Sequence, residues 1–559
     1  MSSIFSSITL KKPKKSKFNL SHEVKLSCDI GQLVPTMCLE AMPGDRFKLR
    51  TESLVKFAPL VAPIMHRVNV KHYFFKVPMR LLWDDFEDFI TGGPDGKAAP
   101  AFPKIHFSGS DFNDAAVKNL FSNGSLADYL GMPTLGKDYP YQGIADNYVS
   151  ALPFRAYQLV FNEYFRDQNL QPEVDIDKGS GDYFFHNGSQ PSSYKQQLID
   201  LMTLRFKGWE KDYLTSALPF AQRGDAVSLP IKGSTVDINF NSALSSHGSK
   251  VVDPGTDNWS TLSISPTNPT VMANKPANHA TDAEVQIDNS DTLEGSVKEA
   301  SADINALRLA TRAQRWLEIA ARTGARYIEQ IFGHFGVKSS DARLQRPEYL
   351  GGSSAPVMIG EVLQTSASDS VSPQANMAGM AQSASSNYIF RTFCEEHCFI
   401  IGVMCILPRT AYFQGMPRKF LKFNKFDYFW PEFQYLGEQK ISSAEVNWDY
   451  NVNTDVQLDD EFGYQRRYAE YMYEASSVHG DFRDMSAGGL AMWHMARYFT
   501  PSTRVLLNGS FVSTEPALAS NNRIFAYEGT DVNHLYVQLY HSFQAELQQL
   551  QNKFERHYP

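Results

Sequence analysis

Between Gly333 and Gly352 the chain reads GHFGVKSSDARLQRPEYLGG, which sets His334, Asp341, Arg343, Arg346, Glu348 and Tyr349 in one segment without a clear period. Side chains of these types can move protons or grip phosphate. Elsewhere, CEEHC (394–398) brings together Cys394, His397 and Cys398, possible metal ligands. WDDFED (Asp84, Asp85, Glu87, Asp88) and LDDEFG (Asp459, Asp460, Glu461) offer neighbouring carboxylates. None of these completes a site. CEEHC matches no zinc spacing, and in an extended strand 394 and 398 would share a face while 397 points away. Runs of acids read as a solvated face or as salt-bridge partners for another chain. The phosphate loop, the dinucleotide fingerprint, the nucleophile elbow and H-E-x-x-H are all missing from the sequence. No nucleophile, base and orienting group stand together, so an enzyme, a cofactor and a metal are not expected.

The opening segment then reads as a structural junction. A helix ends at Gly333 or Gly336, and Pro347 with Gly351 and Gly352 fixes the path of a loop. Arg343, Arg346, Pro347, Glu348 and Tyr349 are its candidate residues, Arg346 and Glu348 being suited to charge-assisted pairing within the subunit or across a contact. FGYQRRYAEYMYE supplies a second cluster, Tyr464, Arg466, Arg467, Tyr468, Tyr471 and Tyr473, either a subunit interface or an aromatic turn of the core. KKPKKSK supplies a third, Lys11, Lys12, Lys14, Lys15 and Lys17, either a solvated arm or one that meets a polyanion.

These residues need elements to hold them. RFKLRTESLVKF alternates polar and apolar residues over its first half, and RVNVKHYFFKV continues in β-branched and aromatic ones, so 45–78 reads as strand. MRLLWDDFEDFITGG reads as a short helix stopped by Gly92 and Gly93, and 94–150 as a long structured excursion. Helical spacing returns at 148–167, with Tyr157, Val160, Phe161, Tyr164 and Phe165 on one side. From 232 to 298 large apolar residues are sparse, and short alternating pieces suggest an inserted, solvent-projecting subdomain. DINALRLATRAQRWLEIAART predicts a long helix with Leu309, Ala313, Trp316 and Ala320 on one stripe. Residues 353–385, rich in Ser, Ala, Gly and Gln, read as irregular. HCFIIGVMCILP and NHLYVQLYHSFQAEL return to strand. Strands at both ends point to one sheet system closed by distant segments.

Composition narrows the class. Of 559 residues 43% are hydrophobic and 20% charged, compatible with a large folded core. Aromatics reach 13%, a level that suits β-rich cores and interfaces. The net charge of −8 excludes a protein that coats nucleic acid with its whole surface, and confines any such role to a patch. Five cysteines at irregular spacing do not form a disulfide framework, and no apolar run reaches the ~20 residues of a membrane-spanning helix. A soluble, cytoplasmically made protein without membrane insertion is expected.

Several long segments carry a resemblance. LSHEVKLSCDIGQLVP, EAMPGDRFKL, YFFKVPMRLLWDDFEDFITGG, ARTGARYIEQIFGHFGVKSSDARLQRPEYLGGSS, EEHCFIIGVMCILPRTAYFQGMPR, FDYFWPEFQYLGEQ and FGYQRRYAEYMYEASSVHGDFRD occur in this order over nearly the whole chain. The sequence resembles the major capsid proteins of the microviruses, small single-stranded DNA bacteriophages, and within them the gokushovirus-like branch. The resemblance implies a mainly β fold, a single eight-stranded antiparallel jelly-roll barrel with large helix- and loop-containing insertions. It implies self-assembly into a T=1 icosahedral shell around a circular single-stranded DNA genome, in the virion and, during assembly, in the host bacterial cytoplasm. Implied partners are further copies of the chain, the DNA, a small basic DNA-binding protein, an internal scaffolding protein, a pilot protein and a host surface receptor. The expected organisation is a basic arm (1–20), first barrel strands with insertions (21–231), a protruding insertion at the threefold axes (232–298), a helical and loop insertion (299–385), and the remaining strands (386–559). The competing readings are a standalone jelly-roll spike that binds a receptor or glycan, and a jelly-roll hydrolase.

Overall fold

The computed structural model describes residues 15–134, 147–185, 192–224, 236–240, 250–252, 259–261, 293–297, 304–323, 333, 345–365, 376–448, 460–486, 489–500, 504–515, 521–529 and 532–548. It divides into two compact units, Met1–Ala221 with Ala320–Pro559, and Gln222–Ile319.

The first unit is mainly β. Its strands are β1 (Ser16–Asn19), β2 (His22–Cys28), β3 (Val34–Ala41), β4 (Arg46–Phe57), β5 (Val68–Pro78), β6 (Glu348–Pro356), β7 (Met358–Leu363), β8 (Met377–Phe393), β9 (Cys398–Pro408) and β10 (Leu535–Leu547). One antiparallel sheet runs β1-β10-β4-β8-β7, with β2 also on β10, and the other runs β6-β5-β9-β3. Each sheet therefore joins strands from the two ends of the chain, as the distribution of alternating segments predicts.

The sheets pack face to face. Val34, Val70 and Met404 from the four-stranded sheet share one cluster with Val55, Val537 and Leu539 from the six-stranded sheet. Met37, Phe74 and Ile400 share a second with Phe47, Leu49 and Phe543. Odd-numbered residues of β9 (Phe399, Ile401, Val403, Cys405, Leu407) turn the other way, into a third cluster built from the inserted segments. Hence β9 is buried at every position, and its sequence is a continuous apolar run instead of an alternation. Among the described residues, only the inner face of the six-stranded sheet is covered. In β4 exposed and buried residues alternate without exception over RFKLRTESLVKF.

The inserted layer on the four-stranded sheet is locked by buried polar groups. Helix α1 (Leu152–Val160) buries Arg155, which donates to the carbonyls of Leu82 (2.9 Å) and Gly179 (3.0 Å) and to the Tyr183 hydroxyl (2.6 Å). Tyr157 donates to the Leu33 carbonyl at 2.8 Å, tying the helix to the strand that follows. Arginine at 1% exposure stands because each bond replaces one lost to water.

One expectation is corrected. Residues 353–385 are not simply irregular: β6, β7 and the start of β8 lie there. Their small residues have weak strand propensity, and tertiary packing overrides it. A Cβ at Gly379, for example, would meet the Ala62 carbonyl oxygen at 2.4 Å. The expected long helix forms, as α2 (Ile304–Thr323), with Leu309 72% and Trp316 56% exposed.

The second unit takes in the expected 232–298 block and reaches beyond it on both sides. Its described strands pair as Val236–Phe240 with Leu293–Val297 and Lys250–Val252 with Trp259–Thr261.

Candidate assembly and nucleic-acid surfaces

At the junction, His334, Asp341 and Arg343 lie outside the described residues. Arg346 and the buried Pro347 turn the chain into β6, with Gln345 at φ +43°. The Tyr164 hydroxyl donates to the Pro347 carbonyl at 2.5 Å, and the Arg346 guanidinium stands 6.0 Å from the Tyr164 ring centroid. Glu348 pairs with Lys76 of β5 at 2.5 Å. Burial works against the Lys76 ammonium, but the Glu348 bond and charge outweigh it and leave the pKa above its ordinary value. Tyr349 packs on Phe75 at 5.4 Å between centroids. A bulge between Tyr349 and Gly351 then resets the register. Gly351 is at φ +150°, and a Cβ on Gly352 would meet the His72 carbonyl oxygen at 2.3 Å, so only glycine fits this approach.

The other chemical motifs spread apart. CEEHC is a turn between β8 and β9, not an extended strand. Cys394 and Cys398 are buried, and their mutual bond, with burial, pushes the Cys398 thiol up. His397 packs against Phe86 at 5.7 Å. Asp84, Glu87 and Asp88 are exposed on the surface, while Asp85 accepts from Ser180. Asp459 lies outside the described residues.

The aromatic cluster at 464–473 has two sides. Tyr468 is 2% exposed and adopts φ +64°, uncommon for a bulky residue, so it belongs to the interior of the turn. Tyr473 stacks on Tyr213 at 6.4 Å, and Tyr464 donates to Glu461 at 3.0 Å. Arg466 is exposed at the end of strand Glu461–Arg466. Tyr471 is 55% exposed. Arg467, Tyr468 and Tyr471 brace a neighbouring segment, part of which carries the family resemblance but none of which was expected as a site. Arg467 donates to the Phe426 carbonyl at 3.2 Å and covers the Phe433 ring, and Phe429 meets Tyr468 at 5.1 Å and Tyr471 at 6.3 Å.

That segment, RKFLKFNKFDYFWPEFQYLG (418–437), is folded as three successive single 3₁₀ turns. Asp427 accepts from the Phe423 and Asn424 amides at 2.9 and 2.7 Å, Trp430 donates to the Lys425 carbonyl at 2.8 Å, and Arg418 bonds Glu445 at 2.9 Å. The backbone is thus tied down while the rings face outward. Phe423 is 72% and Tyr435 82% exposed, and Phe420, Phe426, Tyr428 and Leu436 are each at least half exposed. Exposed rings at this density are the kind of surface through which proteins meet partners. Its sequence signal is aromatic density without helix or strand period, so the chain has no face of its own on which to bury the rings.

Of the lysine run, Lys11, Lys12 and Lys14 lie outside the described residues. Lys15 bonds the Gly44 carbonyl, and Lys17 is exposed on β1.

The capsid protein (F protein) family of phages matches residues 6–548. Capsid protein VP1 of Chlamydia phage 1 is 33% identical, over 92% of this chain and 91% of its own. Capsid protein VP1 of Bdellovibrio phage phiMH2K is 35% identical over 89% and 88%, and that of Spiroplasma virus 4 is 29% identical over 87% and 85%. The chain belongs to the phage capsid protein (F protein) family.

Proposed function

We propose that this capsid protein closes into a small T=1 icosahedral shell around circular single-stranded DNA, with the 418–437 segment as a principal contact between subunits. The exposed aromatic surface carries the reading. Planar rings on a pre-fixed backbone lose little entropy on burial, and shells form from many modest contacts acting together.

A jelly-roll barrel fits the strand order. The runs β2-β10-β4-β8 and β3-β9-β5-β6 alternate early and late strands in both sheets, the interleaving of a jelly roll. The 232–298 block is the proposed host-contact protrusion. The lysine run from Lys11 to Lys17 is proposed to face the genome. A chain of net charge −8 leaves most phosphate charge to a small basic DNA-binding protein, and scaffolding and pilot proteins complete the proposed set of partners.

Sedimentation and electron microscopy of virions test this. The expected result is closed particles of this chain holding nuclease-resistant circular single-stranded DNA. Soluble monomers that bind glycan would instead favour a standalone spike.

A further inference from the structure

Among the described residues the sandwich has one bare face, the outer side of the six-stranded sheet, and its charge runs against the rest of the chain. On that side β4 presents Arg46, Lys48 and Arg50, all exposed. The cross-strand register places Phe393, Arg391 and Tyr388 of β8 directly opposite them. The result is a two-by-three grid with cation beside aromatic, cation beside cation, and cation beside aromatic. Tyr388 is 56% and Phe393 44% exposed. The Arg46 guanidinium is 5.6 Å from the Phe393 centroid, the Lys48 ammonium 6.0 Å from that of Tyr388, and Lys15 joins the Arg46–Phe393 row at 5.4 Å from Phe393.

Like charges directly opposite each other on neighbouring strands destabilise a sheet. Lys48 and Arg391 make no salt bridge among the described residues, whereas Arg46 and Arg50 each have a carboxylate at 3.8 Å, Glu546 and Glu52. An unneutralised pair in an acidic chain calls for an anion from outside. Exposed rings on the same face call for a flat apolar partner. A single-stranded nucleic acid supplies both, phosphates for the cations and unpaired bases for the rings.

We propose that this grid binds single-stranded nucleic acid by backbone pairing at Lys48 and Arg391 and base stacking on Tyr388 and Phe393. The inference rests on the capsid reading for the identity of the strand, the packaged genome, and not for the binding chemistry. Lys15, a described member of the lysine run, already lies over Phe393 at the edge of this grid.

The test is binding of the purified full-length chain to a fluorescent oligothymidine across a salt series. The pair Lys48→Gln with Arg391→Gln should lower the slope of log affinity against log salt by about 1.4, at ~0.7 per phosphate contact. Tyr388→Ala should weaken binding about ten-fold, and Tyr388→Leu, which keeps apolar cover on the sheet but no ring, should lose as much. Thermal melting of each variant shows that the fold is kept. The pair Arg308→Gln with Arg312→Gln, exposed on α2, should leave both slope and affinity unchanged. An unaltered slope in the first pair, an equal loss in the α2 pair, or equal binding of a duplex would overturn the grid. Shells that form while these variants bind normally would sink this inference alone, whereas absence of shells would sink the capsid reading and leave the oligonucleotide result readable.

Discussion

Thr36, Thr51, Ser53, His72, Ser383 and His541 form a buried polar layer between the two apolar clusters of the sandwich. His541 meets the Thr51 hydroxyl at 3.0 Å and its ring lies 5.3 Å from that of His22. Burial lowers the His72 pKa to about 4. Burial first, then the charges of His22 and His72, lowers that of His541 to about 3. Both folded values lie below the ordinary 6.5, so the unfolded chain binds more protons in between. Their stabilisation is complete above about pH 6.5 and is lost as pH falls through the window toward 4. Each histidine contributes a slope of about 1.4 kcal/mol per pH unit there. Urea unfolding at pH 7, 6 and 5 should show this loss. Both His72 ring nitrogens lack a protein hydrogen-bond partner among the described residues, so His72→Leu should remove one histidine's share with little effect at pH 7. An unchanged pH profile in that variant would refute the assignment. Nothing in KHYFFKV marks His72 for this role, because the layer exists only once strands from both ends of the chain are paired.

At the level of elements, legibility followed period and burial. The strict alternation of β4 and β10 and the apolar run of β9 were readable as strands, since side-chain period and two-sided cover both leave a sequence trace. β8 was not, because MAGMAQSASSNYIFRTF has few β-branched residues and is placed by its partners β4 and β7. The junction was legible as a turn through Pro347 and the paired glycines. Its partners Lys76 and Tyr164 were not, lying 272 and 183 positions away from Glu348 and Pro347. Tyr468 and Tyr471 look alike in sequence, and only the turn between them decides that one is inside and the other out. The 418–437 segment gives the prediction at this scale. Phe423→Ala with Tyr435→Ala removes rings that touch little of their own subunit. Unfolding free energy should change by less than about 0.5 kcal/mol, while loss of two hot-spot rings of ~2 kcal/mol each should abolish most particle formation. Normal particle yield, measured by sedimentation, would remove the segment from the assembly interface.

Among the described residues, the first unit is a two-sheet sandwich with one side roofed by inserted segments and the other bare. The roof gives the four-stranded sheet a second core, and the aromatic segment and the basic grid give the subunit two chemically different outward surfaces. Aromatic surface suits contact with identical copies, and cationic surface suits a polyanion, so the two should face neighbouring subunits and the shell interior respectively. A particle reconstruction tests this most directly. The expected result is a closed icosahedral shell in which 418–437 is buried between subunits and Lys48, Arg391, Tyr388 and Phe393 line the lumen. A shell with that segment left open to solvent, or with the bare sheet face turned outward, would contradict the account.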